Sequence, residues 1–160
     1  MNQIFRKAFS VVGALLMVLL VVQFFLAGAG VFTILGGADS NLNKALADSL
    51  PFWMAHVLNG AAIGIGIILL IAFSFGARYP WRITGLTSLL FVLLVLQSVL
   101  AHSGPAYVSA LHVVNGVVIT GLTGALVGRT WAFRRAERPA PEPTQPERPE
   151  AVPEAAGHVH

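Results

Sequence analysis

The chain has 160 residues, 56% hydrophobic and 11% charged, with no cysteine and a formal net charge of +3. A soluble domain carries about 25% charged residues, so the composition argues against a water-soluble globule. The absence of cysteine excludes disulfides, thiolate metal sites, iron–sulfur clusters and covalently attached c-type haem. The positive charge does not point to nucleic acid, because Arg129, Arg134, Arg135 and Arg138 follow directly on a hydrophobic stretch, where arginines set membrane topology.

The charges are segregated. No Asp, Glu, Lys or Arg lies between Lys7 and Asp39, between Asp48 and Arg78, or between Arg82 and Arg129, gaps of 31, 29 and 46 residues. A bilayer-spanning helix needs about 20 residues, so the first two gaps each hold one span. The third holds two, divided at His102-Ser103-Gly104-Pro105. The expected fold class is an all-α membrane protein with four transmembrane helices, at about residues 8–35, 52–77, 83–101 and 106–127. The five Trp and Tyr residues, Trp53, Tyr79, Trp81, Tyr107 and Trp131, fall at the expected ends, and all nine prolines fall outside the span interiors. Arg6-Lys7, the apolar run and Ala27-Gly28-Ala29 have the order of a secretion signal. The apolar run of about 19 residues is longer than the usual 7 to 15 of such signals, so the first helix is expected to stay.

Arg6, Lys7, Arg78, Arg82 and the arginines after the fourth span share one side, which the positive-inside rule makes cytoplasmic, with both termini there. The opposite side carries a loop from Gly36 to Leu50 and the short His-Ser-Gly-Pro turn. Residues 136–160 hold six of the nine prolines and five of the seven acidic residues, the composition of a disordered cytoplasmic tail ending in His158 and His160.

An internal repeat organises the apolar part. Leu19-Leu20-Val21-Val22-Gln23-Phe24-Phe25-Leu26-Ala27 aligns on Leu93-Leu94-Val95-Leu96-Gln97-Ser98-Val99-Leu100-Ala101 with six of nine positions matched. His56-Val57-Leu58-Asn59-Gly60 aligns on His112-Val113-Val114-Asn115-Gly116 with four of five. Apolar matches are cheap in membrane helices, so the weight rests on Gln, His, Asn and Gly. The pattern is that of two helical hairpins, parallel repeats related by an axis along the membrane normal, packing as a four-helix bundle.

His56 comes about five residues after Pro51 and His112 about seven after Pro105, which places both roughly 8 to 10 Å below the outer helix end. On each helix the histidine's face continues through Asn59 and Gly60, or Asn115 and Gly116. The glycines are expected to leave room for a flat ligand, and the asparagines to hydrogen-bond an imidazole or a polar ligand edge. His56 and His112 are accordingly expected to be the axial metal ligands of one non-covalent haem b, its propionates pointing outward toward helix N-termini, Lys44 and His102. Gln23 and Gln97 are expected to hydrogen-bond between helices or to touch the ring edge. Two other readings fit the same residues: a cofactor-free accessory or assembly subunit in which His and Asn pair across the bundle, and a small metal-ion or proton pathway through His56, His112 and His102.

Around Gln23-Phe24-Phe25-Leu26-Ala27-Gly28 and Leu111-His112-Val113-Val114-Asn115-Gly116 the chain resembles a family of small four-span prokaryotic membrane proteins of unassigned function, over about residues 8–130. More distantly, two hairpins with one histidine on each second helix resemble half of haem A synthase and the four-helix cores of b-type cytochromes. That distant resemblance implies haem ligation by His56 and His112 and nothing further; the prokaryotic family implies a plasma-membrane location, and the lack of any substrate-processing centre leads to the expectation of another membrane redox protein as partner. The chain departs from membrane-crossing di-haem cytochromes in having no second histidine pair in the inner half. No carboxylate pair, phosphate loop or nucleophile with a base marks it as an enzyme.

Overall fold

The computed structural model describes residues 2–102 and 104–133, and among these it is all-helical, with no strand. Its elements are α1 (Asn2–Gly76), α2 (Trp81–His102) and α3 (Ala106–Thr130), each long and apolar enough to cross a membrane. The expected tail at 136–160 lies outside the described residues.

At about 1.5 Å per residue, a straight α1 of 75 residues would be far longer than the roughly 30 Å hydrocarbon core. It is not straight. Asn41 alone inside it has non-helical backbone angles, φ −163° and ψ 94°, and its side-chain Oδ1 accepts the Lys44 amide at 3.0 Å. Those are the conformation and the hydrogen bond of an N-cap. Asn41 thus restarts the helix in a new direction, and the limb after it folds back on the limb before it. Gly37 meets Ala45, Gly30 meets Trp53, Gln23 bonds His56, Gly66 meets Leu16 and Gly76 meets Phe5. These pairs step away from Asn41 by similar intervals on both sides, within three residues, the signature of an antiparallel hairpin.

The expected loop from Gly36 to Leu50 is therefore helix on both sides of one capping residue. Its sequence explains the difference. Asn41 supplies the cap, Ala45, Leu46 and Ala47 are strong helix formers, and Lys44 pairs with Asp48 one turn on, Nζ to Oδ2 2.7 Å. Pro51, expected outside the helix, lies inside α1 and is exposed, where the carbonyl it leaves unpaired can reach solvent. Two adjacent glycines before the turn then have opposite requirements. A Cβ on Gly36 meets open space, whereas one on Gly37 comes within 2.8 Å of the Ala45 Cβ, which has no rotamer to escape into. Gly36→Ala should leave stability unchanged or raise it by up to about 1 kcal/mol. Gly37→Ala should lower it by about 1 to 3 kcal/mol, read as opposite shifts in thermal unfolding in detergent.

α1 ends in a reverse-turn cap. Arg78 takes φ 51°, and the amides of Arg78 and Tyr79 bond the carbonyls of Phe75 and Ser74. Pro80 cannot continue the helix, and Trp81 starts α2. The second break comes where the sequence places it: α2 ends at His102, Gly104 has φ 67°, and α3 begins at Ala106.

The buried core, including Phe9, Leu16, Ile67, Leu70, Leu90 and Leu126, fills the half of the bundle near the arginine-rich end. A polar latch closes that end. Buried Ser10 accepts the Ala132 amide at 2.9 Å and donates to the Thr130 carbonyl, which also accepts from the Tyr79 hydroxyl. Arg6 lies over the Tyr79 ring, 5.2 Å from its centre. Burial pushes the Tyr79 phenol above its ordinary pKa, with Arg6 and the bond to Thr130 pulling the other way. Outward, residues such as Phe25, Phe32, Val57, Leu58 and Val113 are exposed, the lipid-facing surface that a membrane helix bundle presents.

Candidate functional site

The half of the bundle away from the latch contains a cavity of about 440 Å³, within the range of about 300 to 1,000 Å³ usual for cofactor-sized ligands. Its walls are mainly apolar, including Leu20, Leu94, Val113 and Ile119, and its polar lining comes from Gln23, His56, Gln97, Ser98, His102 and His112. No Asp, Glu, Lys or Arg lines it.

His56 and His112 face each other, ring centres 6.3 Å apart and ring planes inclined at 45°. Each imidazole is anchored in the same way. His56 Nδ1 is 3.3 Å from the backbone carbonyl of Gln23, and His112 Nδ1 is 2.9 Å from that of Gln97. A ring nitrogen beside a carbonyl oxygen has to donate, so the proton sits on Nδ1 in both rings and Nε2 keeps its lone pair. Among the described residues neither Nε2 has a hydrogen-bond partner.

The anchors are themselves tied. Asn59 Nδ2 donates to Gln23 Oε1 at 2.6 Å and to the Leu19 carbonyl at 2.9 Å. Asn115 Nδ2 donates to Gln97 Oε1 at 2.6 Å and to the Leu93 carbonyl at 2.8 Å. Gln23 Nε2 also donates to the His56 carbonyl at 3.0 Å. The positions that align in the two halves of the sequence thus carry matching hydrogen bonds, one set within α1 and the other between α2 and α3. Both glutamines therefore bond between helical segments.

Three expectations need correction. The asparagines do not bond an imidazole: the neighbouring helical segment offers each of them a glutamine oxygen and a backbone carbonyl. The space beside Gly60 and Gly116 is shared, since a Cβ there would stand 3.4 Å from the amide nitrogen of Gln23 and Gln97 respectively. The glycines admit the glutamines as well as bordering the cavity. Finally, Lys44 is not at the cavity: it is exposed and paired with Asp48, twelve residues from His56, or about 18 Å along the helix. The same extension of α1 back to Asn41 puts His56 fifteen residues into its limb, against six residues from the start of α3 for His112. The rings meet because the limbs are offset, not because their depths from the helix ends agree.

His102 does line the cavity, at the last turn of α2, with Nδ1 2.8 Å from the Ser98 carbonyl. Two residues not singled out from the sequence share the wall, Phe24 and Ser98. Their signal is in the repeat itself, because they directly follow the matched glutamines and mark the point at which the two halves differ. Trp53, read from the sequence only as a span-end aromatic, packs beside the site, its ring centre 6.1 Å from that of His56.

The arrangement can hold a metal ion linearly between two imidazoles. Two bonds of about 2.0 Å, as for zinc–imidazole, plus about an ångström from each nitrogen to its ring centre, put the centres of trans ligands roughly 6 Å apart. The observed 6.3 Å matches. A closed tetrahedral site needs four ligands, and among the described residues no group of three or more His, Cys, Asp or Glu side chains converges.

Neither the curated proteins nor the solved structures give a match to this chain. A family model, described as a family of unknown function (DUF6220), matches residues 23–104, a stretch that holds Gln23, His56, Asn59, Gln97 and His102 and stops short of His112. With 82 of its 160 residues matched, the chain belongs to that family.

Proposed function

We propose that the chain is an integral membrane b-type haem protein, serving electron transfer or haem handling beside another membrane redox protein. In this reading α1 contributes two spans, and the four spans form a bundle of two parallel hairpin repeats in a prokaryotic plasma membrane, both termini cytoplasmic. The observation that carries the reading is the facing histidine pair at axial-ligand spacing, with both Nδ1 protons held by backbone carbonyls and both Nε2 lone pairs left for metal binding. Ligand histidines in metalloproteins are held in this manner, the outer nitrogen donating to a carbonyl or carboxylate that fixes the tautomer. Haem supplies one-electron redox chemistry at iron. The chain's residues supply the two ligands, the apolar walls that exclude water, and the Gln–Asn ties that hold the ligands in place. His56 and His112 would hold one haem in one half of the bundle, where it would supply one-electron exchange with a partner rather than a path across the whole membrane.

Trp53 gives a direct assay. Its ring lies beside His56, while Trp81 and Trp131 are exposed at the opposite end of the bundle. Titrating detergent-purified protein with haemin should quench fluorescence to saturation at one haem per chain. Trp53→Phe should remove most of the quenchable signal while binding persists. Absence of saturable quenching contradicts the proposal.

A cofactor-free accessory subunit is the second reading. It is favoured by one observation, that the asparagine and glutamine side chains find protein partners without any ligand. It predicts no saturable haemin quenching, and loss of His56 or His112 should then show only the modest stability cost of one inter-segment hydrogen bond.

A further inference from the structure

The inner part of the cavity is built twice over, but its rim is not. Following each matched glutamine, the first half of the chain has Phe24 and the second has Ser98; four residues further on, the first has Gly28 and the second His102. Phe24, Ser98 and His102 all line the cavity. The Phe24 ring also stands 3.5 Å from the position of a Cβ on Gly116, reaching across to the opposite pair of helices. The cavity thus has an aromatic edge from α1 and a polar edge from the last turn of α2.

A symmetric pair of axial ligands cannot distinguish one in-plane edge of a flat macrocycle from another. We propose that the asymmetric rim does so: it orients an amphipathic metalloporphyrin with its carboxylate edge at His102 and its alkyl edge against Phe24, and selects macrocycles that carry an anionic edge. His102 is the group equipped for this. Its Nδ1 proton is committed to the Ser98 carbonyl at 2.8 Å, which leaves Nε2 for the cavity. With the ring carrying its second proton, Nε2 donates a charge-assisted hydrogen bond to a carboxylate. Nothing else on the lining offers a cation, because Lys44 is occupied with Asp48 and the arginines lie at the other end of the bundle. Ser98 does not compete for the role, since its hydroxyl donates to the Leu94 carbonyl. The inference rests on the haem reading and adds to it the orientation and chemical class of the ligand.

The test compares two probes on the full chain in detergent: iron protoporphyrin IX, with two free carboxylates, and its dimethyl ester. Wild type should bind the diacid at least tenfold more tightly than the ester, with low-spin six-coordinate spectra for both. His102→Leu should erase the preference by weakening the diacid alone, and His102→Arg should restore it. His102 is exposed at a helix end, so both variants should fold. Equal affinity of wild type for diacid and ester, or a preference that survives His102→Leu, overturns the assignment of the rim and leaves the haem reading standing. Failure of both porphyrins to give a low-spin complex overturns the haem reading itself, and this inference with it.

Discussion

Replacing either His56 or His112 by alanine should convert a low-spin, six-coordinate haem complex into a high-spin one and lower haem affinity at least tenfold. The expectation follows from the arrangement of the rings. Each imidazole is supplied by a different part of the bundle, each is held by one backbone carbonyl, and among the described residues no third His, Cys, Asp or Glu side chain joins the pair in a metal-ligating group. A truncated ligand therefore has no substitute. Changing a residue that merely supports a metal ligand costs about 10- to 100-fold in metal affinity, and loss of a ligand should cost no less. The alanine leaves a gap the size of an imidazole beside the cavity, so added imidazole should restore the low-spin spectrum in both variants. A pair that served only for packing would show neither the spectral change nor the rescue. Absorption spectra of the two variants, with and without imidazole, separate these outcomes.

The second large effect concerns the ties beneath the histidines. Asn115 is buried, 7% exposed, and Asn59 partly so; each donates to a glutamine oxygen and to a backbone carbonyl of the neighbouring segment. Leucine at either position removes both bonds and strands the glutamine oxygen in an apolar setting. Side-chain hydrogen bonds between membrane helices average about 0.6 kcal/mol and reach about 1.7, so losing two bonds should cost about 1 to 2 kcal/mol at each site. The two asparagines share no partner, so the effects should add, and Asn59→Leu with Asn115→Leu should cost about 2 to 4 kcal/mol. The double variant should unfold at clearly lower temperature in detergent and bind haemin more weakly, because the glutamine carbonyls that aim the imidazoles are displaced with the helices. A haem affinity unchanged in a destabilised double variant would show that these ties hold the bundle without positioning the ligands.

How far the fold and the site are legible in the sequence follows from the kind of signal each feature leaves. Long charge-free stretches belong to membrane or core, so the apolar helices and the break at Gly104-Pro105 are readable directly. The helical path through residues 36–50 is not. Its polar residues read as a loop, whereas a single N-cap at Asn41 and one ion pair suffice to keep the chain helical on both sides of a sharp reversal. Gln23, His56, Asn59 and their counterparts in the second half are legible because polar side chains are costly inside apolar helices, and their recurrence at matched places sets them apart from the aliphatic background. Their bonding pattern is not legible. Whether Asn59 meets an imidazole or a glutamine depends on the offset between adjacent limbs, a distance of a few ångströms that composition does not encode. The rim is hidden for the opposite reason: a repeat draws the eye to positions that match, and the informative feature at Phe24 and Ser98 is a mismatch.

In the proposed reading His56 and His112 hold one haem between them. It is tested most directly by the absorption spectrum of the full chain, expressed with haem supply and purified in detergent, before and after reduction with dithionite. The expected spectrum has a Soret band that shifts on reduction and the sharp visible bands of a low-spin b-type haem, at one haem per chain. A colourless protein that stays colourless after haemin is added would contradict it.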